Sequence, residues 1–105
     1  MVKMLATVEE YDAATKGDGL TVIDFTATWC PPCQMIGPKF VLMAGEADFA
    51  GVTFFKLDVD ANEAGSQKAQ INCMPTFQFY KGGVKVDELQ GADEQSLRAK
   101  ITKHK

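Results

Sequence analysis

The run Leu20-Thr21-Val22-Ile23-Asp24-Phe25-Thr26-Ala27 is apolar without a strict alternation of apolar and polar positions. Such a run reads as a strand covered on both faces. Val52 to Val59 is a second β-rich run of β-branched and aromatic residues, and Val2 to Ala6 is a short strand ahead of both. Thr76 to Lys81 and Val84 to Gln90 flank Gly82-Gly83, the composition of a tight hairpin turn.

Helical patterns lie between these strands. Thr7 and Glu10 form a capping box, which predicts a helix from about Val8 to Lys16, ended by Gly17-Asp18-Gly19. A second helix is predicted from Cys30-Pro31-Pro32-Cys33 onward, because proline fits a first turn, where its missing N–H is not needed. Ile36, Phe40, Met43, Ala44 and Ala47 recur at helical spacing and are expected to face the core. Gly37-Pro38 sits inside that pattern and predicts a kink rather than two helices. Asp60 with Glu63 predicts the cap of a short helix reaching about Gln70. Asp93 caps a last helix carrying Leu97 and Ile101, with Lys100, Lys103 and Lys105 near its C-terminal dipole. The order βαβαβαββα implies an α/β fold with parallel crossovers, a closing antiparallel hairpin and helices on both faces of a mixed sheet.

Composition sets the frame. The 105 residues suit one domain spanning 1–105. A net charge of −3 lacks the basic excess of a nucleic-acid-binding surface. No stretch approaches the roughly 20 apolar residues of a membrane span, and the N-terminus turns acidic before a signal-peptide core forms. The expected location is cytoplasmic. Three cysteines are too few for a disulfide scaffold, so the Cys30/Cys33 pair reads as redox or metal chemistry.

Two cysteines three apart at a helix start share a face, within small adjustments of disulfide range. The helix N-terminus stabilises a thiolate at Cys30, which makes it the attacking sulfur. Cys33, one turn inside, is then the resolving sulfur. Structural zinc takes four Cys or His ligands. Besides the pair the chain offers only Cys73 and His104, the latter in a tail expected to fray, so no metal site is expected.

Asp24 interrupts the apolar run of its strand, and Lys56 interrupts Phe54-Phe55-Lys56-Leu57. If the two strands are neighbours, the lysine faces the carboxylate. Burial then raises the aspartate's pKa and suits it to proton transfer; the plainer reading is an aspartate at a bulge or on a solvated face. Trp29, the only tryptophan, is either a packing residue or a docking platform beside the reactive sulfur. Spacing does not decide whether Pro75 is cis.

Val22-Ile23-Asp24-Phe25, Trp29-Cys30-x-Pro32-Cys33, Pro38, Asp58-Val59-Asp60, Met74-Pro75-Thr76 and Gly91 stand in the order and spacing of thioredoxins. The chain resembles that family over essentially its whole length, and the animal cytosolic type through Cys73-Met74-Pro75-Thr76-Phe77-Gln78-Phe79. The resemblance implies a five-stranded mixed central sheet flanked by four helices. It implies a protein-disulfide reductase with no bound cofactor, working through a Cys30–Cys33 disulfide. It further implies that electrons come indirectly from NADPH through thioredoxin reductase and that substrates include peroxiredoxins. Asp24 then helps deprotonate Cys33 through water, with Lys56 as its modulator, and Pro75 is the cis-proline facing the cysteines. Trp29, Pro32, Met74, Gly91 and Ala92 form the docking surface.

Three departures stand out. Pro31 replaces the family's usual glycine and is expected to stiffen the turn and shift the reduction potential; about 30 mV corresponds to 1.4 kcal/mol. Gln34 removes a cation common at that position, and Gly37 softens the bend at Pro38. Cys73 is the leftover thiol, either a buried small hydrophobe or a regulatory thiol at the rim of the docking surface. In the second case its oxidation blocks substrates or links the expected monomers into dimers. The alternatives to a general reductase are a tryparedoxin-like donor to a peroxidase, suggested by Pro-Pro between the cysteines, and a non-catalytic metal- or partner-binding module.

Overall fold

A computed structural model describes residues 1–105. Its strands are β1 (Val2–Met4), β2 (Leu20–Thr26), β3 (Thr53–Asp58), β4 (Thr76–Lys81) and β5 (Val84–Gln90). The helices are α1 (Val8–Ala14), α2 (Pro31–Ala44), α3 (Glu63–Lys68) and α4 (Glu94–His104). The strands form one five-stranded sheet in the order β1-β3-β2-β4-β5. β1 and β2 run parallel to β3, while β4 is antiparallel to β2 and to β5. This is the mixed α/β architecture that the alternation of patterns predicts.

β2 lies at the centre and all its residues are buried, which is why its sequence does not alternate. Successive side chains feed two cores. Leu20 and Val22, with Phe54, Phe77 and Phe79, meet Ile36, Phe40 and Met43 of α2 and Leu97 and Ile101 of α4. Ile23 and Phe25, with Leu57 and Tyr80, meet Tyr11 of α1 and Ala69 after α3. Asp24, between Ile23 and Phe25, is sent by the pleat to the α2 side.

Helix starts follow local hydrogen bonding. Thr7 Oγ1 accepts from the Glu10 N–H at 3.1 Å, while Glu10 reaches back to the Ala6 N–H at 2.6 Å, one residue beyond the cap. Asp93 accepts from the Gln95 and Ser96 N–H groups to open α4. At the hairpin, Gly82 and Gly83 have φ of 61° and 84°, the left-handed backbone that two-residue turns require.

The structure corrects three expectations and adds one irregularity. α2 continues through Pro38 but stops at Ala44, so Ala47 lies outside it in a 3₁₀ turn, Ala47–Phe49, and is exposed. The turn brings the larger Phe49 into the core instead. The cap of α3 is Asn62 rather than Asp60, with its Oδ1 accepting from the Gly65 N–H at 3.0 Å. Asp58 Oδ1 accepts from the N–H groups of Asp60 and Ala61, holding these residues in a turn that delays the helix. β4 and β5 pair with a register shift between Phe79 and Tyr80, which the alternation does not announce. His104 is not frayed. It ends α4 with Nε2 2.9 Å from Asp87 Oδ2, and Lys100 Nζ donates to the same carboxylate at 2.9 Å.

Candidate active site

The site is built where β2 hands over to α2. Cys30 is the N-cap of α2, and Pro31 and Pro32 occupy its first two helical positions. Neither proline has an N–H to offer. The Cys33 N–H, one turn in, points back to Cys30 Sγ at 3.3 Å. Cys30 and Cys33 are joined by a disulfide, with their Cα atoms 5.2 Å apart. Both are buried against Ala27, with Val59 and Met74 packed alongside. Gln34 is turned away from any ion pairing, its Nε2 donating to the Ala27 carbonyl at 3.0 Å.

The loop before β4 closes one side. The Met74–Pro75 peptide bond is cis, and the Met74 carbonyl oxygen lies 3.7 Å from Cys30 Sγ. The Pro75 carbonyl accepts from the Gly91 N–H at 2.9 Å, which brings the segment after β5 to the same edge. Gly91 has φ of 101°, where a side chain is strained. Ala92 packs against the main core rather than the sulfurs.

Trp29 stands beside the disulfide and is 63% exposed, so packing does not explain it. Its Nε1–H donates to Asp60 Oδ2 at 2.6 Å. Asp60 is therefore a positioning residue for the indole that a capping pattern conceals. Its role was signalled only by its place in Asp58-Val59-Asp60. None of the three surface cavities is lined by Cys30 or Cys33; the disulfide itself is buried, with Pro31 and Pro32 exposed beside it.

Asp24 is fully buried, and neither carboxylate oxygen has a hydrogen-bond partner in the protein. Its register partner on β3 is Lys56. Burial pushes the Asp24 pKa up to about 7, against the opposing pull of the Lys56 charge. Cys73 is exposed, not buried, and its Sγ lies 3.9 Å from Thr76 Oγ1.

A pair of sulfurs that opens and closes at a helix N-terminus exchanges electrons with other sulfurs, and this places the chain among the thiol–disulfide oxidoreductases. Known proteins narrow the class. The family model described as Thioredoxin matches residues 2–103. Thioredoxin of Ictalurus punctatus is 50% identical over 107 residues and that of Geodia cydonium 52% over 108, each alignment covering 100% of both chains. The solved thioredoxin of Malassezia sympodialis is 43% identical with a TM-score of 0.94, covering 98% of this chain and 92% of its own. A solved chain from a study of thiol resolving in yeast mitochondrial 1-Cys peroxiredoxin via glutathione/thioredoxin systems is 29% identical with a TM-score of 0.90, covering 97% of this chain and 94% of its own.

The chain belongs to the thioredoxin family. Its activity is thiol–disulfide exchange through a redox-active disulfide, in a family that works with reductases and peroxiredoxin-type substrates. These matches support neither the tryparedoxin-like donor nor the metal module.

Proposed function

We propose that Cys30 is the attacking sulfur and Cys33 the resolving one in a reductase of protein disulfides. The observation that carries this assignment is the Cys33 N–H directed at Cys30 Sγ from the start of α2. A negative sulfur there gains a hydrogen bond and the field of the helix terminus. In the reduced protein the Cys30 thiolate attacks one sulfur of the substrate disulfide. The Cys30–substrate bond forms, the substrate S–S bond breaks, and the departing thiolate takes a proton. Cys33, once deprotonated, attacks Cys30, closes the disulfide and expels the second substrate thiolate, which is protonated in turn. Two electrons leave the pair and two substrate thiols result.

Asp24 is the base for Cys33, acting through water. A carboxyl with a pKa of about 7 accepts and returns a proton at neutral pH, and Lys56 tempers it. Trp29, Pro32, Met74, Pro75 and Gly91 form the docking rim, with Ala92 supporting it from below. Reduction by an NADPH-dependent thioredoxin reductase resets the pair, and a peroxiredoxin disulfide is one substrate. The protein acts as a monomer in the cytoplasm, where an exposed free thiol such as Cys73 persists.

The test is NADPH-coupled reduction of insulin disulfides by reductase and this protein, with trapping of intermediates. Cys30→Ser is expected to abolish turnover, and Cys33→Ser to accumulate a mixed disulfide through Cys30. A mixed disulfide trapped by Cys30→Ser through Cys33 would reverse the assignment.

A further inference from the structure

α2 carries an apolar stripe that the fold itself does not use. Pro31, Met35, Pro38 and Leu42 all face solvent, with Met35 55% and Leu42 70% exposed and Val41 beside them 48% exposed. Intervals of four, three and four residues place these side chains on one side of the helix. A helix on a sheet ordinarily turns charged and polar residues outward here. At 1.5 Å per residue the stripe runs about 16 Å from Pro31 to Leu42.

Two features say what covers it. Its near end is Pro31, the residue after Cys30, so a protein delivering a disulfide to Cys30 from this side lies along the stripe. Its flanking charges are already paired, Lys39 with Glu94 at 3.5 Å and Arg98 with Glu46 at 2.7 Å, so the surface asks for apolar contact rather than countercharge. A stable dimer interface takes about 20–30 residues from each partner, and this stripe offers four.

We infer that the outer stripe of α2 docks the body of a folded, oxidised protein substrate whose apolar surface next to its disulfide covers Met35 and Leu42. This rests on the assignment of Cys30 as the attacking sulfur. Small disulfides reach Cys30 without touching the far end of the stripe, so the stripe selects folded protein disulfides with an apolar flank.

The test uses the full chain and the surface variant Val41→Gln/Leu42→Gln, with insulin as the protein disulfide and 5,5′-dithiobis(2-nitrobenzoate) as the small one. The KM for insulin is expected to rise about fivefold, a typical effect for loss of an apolar anchor. Reduction of the small disulfide and the KM of thioredoxin reductase for the variant stay at the parent's values, and Leu42→Met alone retains the parent's insulin KM. In the unaltered protein, raising NaCl from 50 to 500 mM is expected to change the insulin KM less than twofold. An unchanged insulin KM in the variant overturns the proposal. So does a loss confined to the reductase arm, which makes the reductase the occupant, or a wild-type sedimentation coefficient that falls on substitution, which makes it a second copy. A steep salt dependence also overturns it. Failure of the unaltered protein to reduce the small disulfide in a Cys30-dependent way would instead remove the Cys30 assignment.

Discussion

The two prolines leave Cys30 Sγ with a single backbone donor from its own helix turn, the Cys33 N–H. Pro31→Gly restores an N–H in that turn and relaxes its φ. An added donor favours the thiolate and with it the reduced form. The reduction potential of Pro31→Gly is expected to rise by about 30 mV, the equivalent of one charge-assisted hydrogen bond. Equilibration with a glutathione buffer measures it, and a potential equal to the parent's would remove the idea. Cys73 presents a second residue-level question, because its thiol is exposed beside the cis Met74–Pro75 segment. Mild oxidant is expected to produce a covalent dimer on non-reducing gels, and Cys73→Ser to abolish it. Undiminished dimer in the variant would place the link elsewhere. Here the sequence was partly legible: the Cys-x-x-Cys pair announces its chemistry, whereas the exposure of a lone cysteine depends on how a loop is folded over the sheet.

α3 shows how a short helix depends on fit at one point. Asn62 is buried, accepting from the Gly65 N–H at 3.0 Å and donating from Nδ2 to the Leu5 carbonyl at 3.1 Å. A Cβ on Gly65 would meet Asn62 Nδ2 at 2.9 Å and Leu57 Cδ1 at 3.0 Å. The Asn62 side chain is tied at both ends and cannot yield cheaply. Gly65→Ala is expected to destabilise by about 1–3 kcal/mol through overpacking, despite alanine's better helix propensity. Urea denaturation measures the change, and equal or greater stability of the variant would show that the site accommodates a methyl group. Neither Asn62 as cap nor the tightness at Gly65 follows from the local pattern, in which Asp60 and Glu63 look like the natural start. The Asp58 turn and the Leu5 carbonyl, which lies 57 positions away in sequence from Asn62, decide it.

Two carboxylates tilt the stability of the whole molecule in opposite directions with pH. Asp24 has a folded pKa of about 7 against the ordinary 3.8 of an aspartate. The folded state therefore holds a proton that the unfolded state releases. The advantage is complete below about pH 4 and is lost as pH rises to about 7, a penalty of order 4 kcal/mol at higher pH. Asp24→Asn removes it. The variant is expected to melt higher than the parent at pH 8, with the gap closing toward pH 4. Asp87 behaves in the opposite sense: Lys100 and His104 hold its carboxyl well below the usual range and tie α4 to β5. Its contribution is present above about pH 4 and fades as the pH falls through the folded value. Asp87→Asn is expected to melt lower than the parent at pH 7, with the gap narrowing as the pH falls below about 4. Calorimetry across pH on the parent and both variants checks the two slopes, and parallel curves would refute the linkage.

The chain's own sequence determined the element order, the central position of β2 and the location of the redox pair. Those properties live in short-range patterns: the uninterrupted apolar run, the periodicity of α2 and the prolines of its first turn. It also determined the family, since the ordered set from Asp24 to Gly91 is distributed along the whole length. The tertiary structure alone decided which residues distant in the chain meet, around the sulfurs and elsewhere. The Met74 carbonyl reaches Cys30 Sγ, Trp29 leans on Asp60, Lys56 stands opposite Asp24, and His104 joins Lys100 at Asp87. Each of these contacts joins residues on different elements, where burial, register and backbone geometry act together. Burial in particular sets the Asp24 pKa, and burial belongs to the packed sheet and helices, not to the aspartate or its neighbours in the chain.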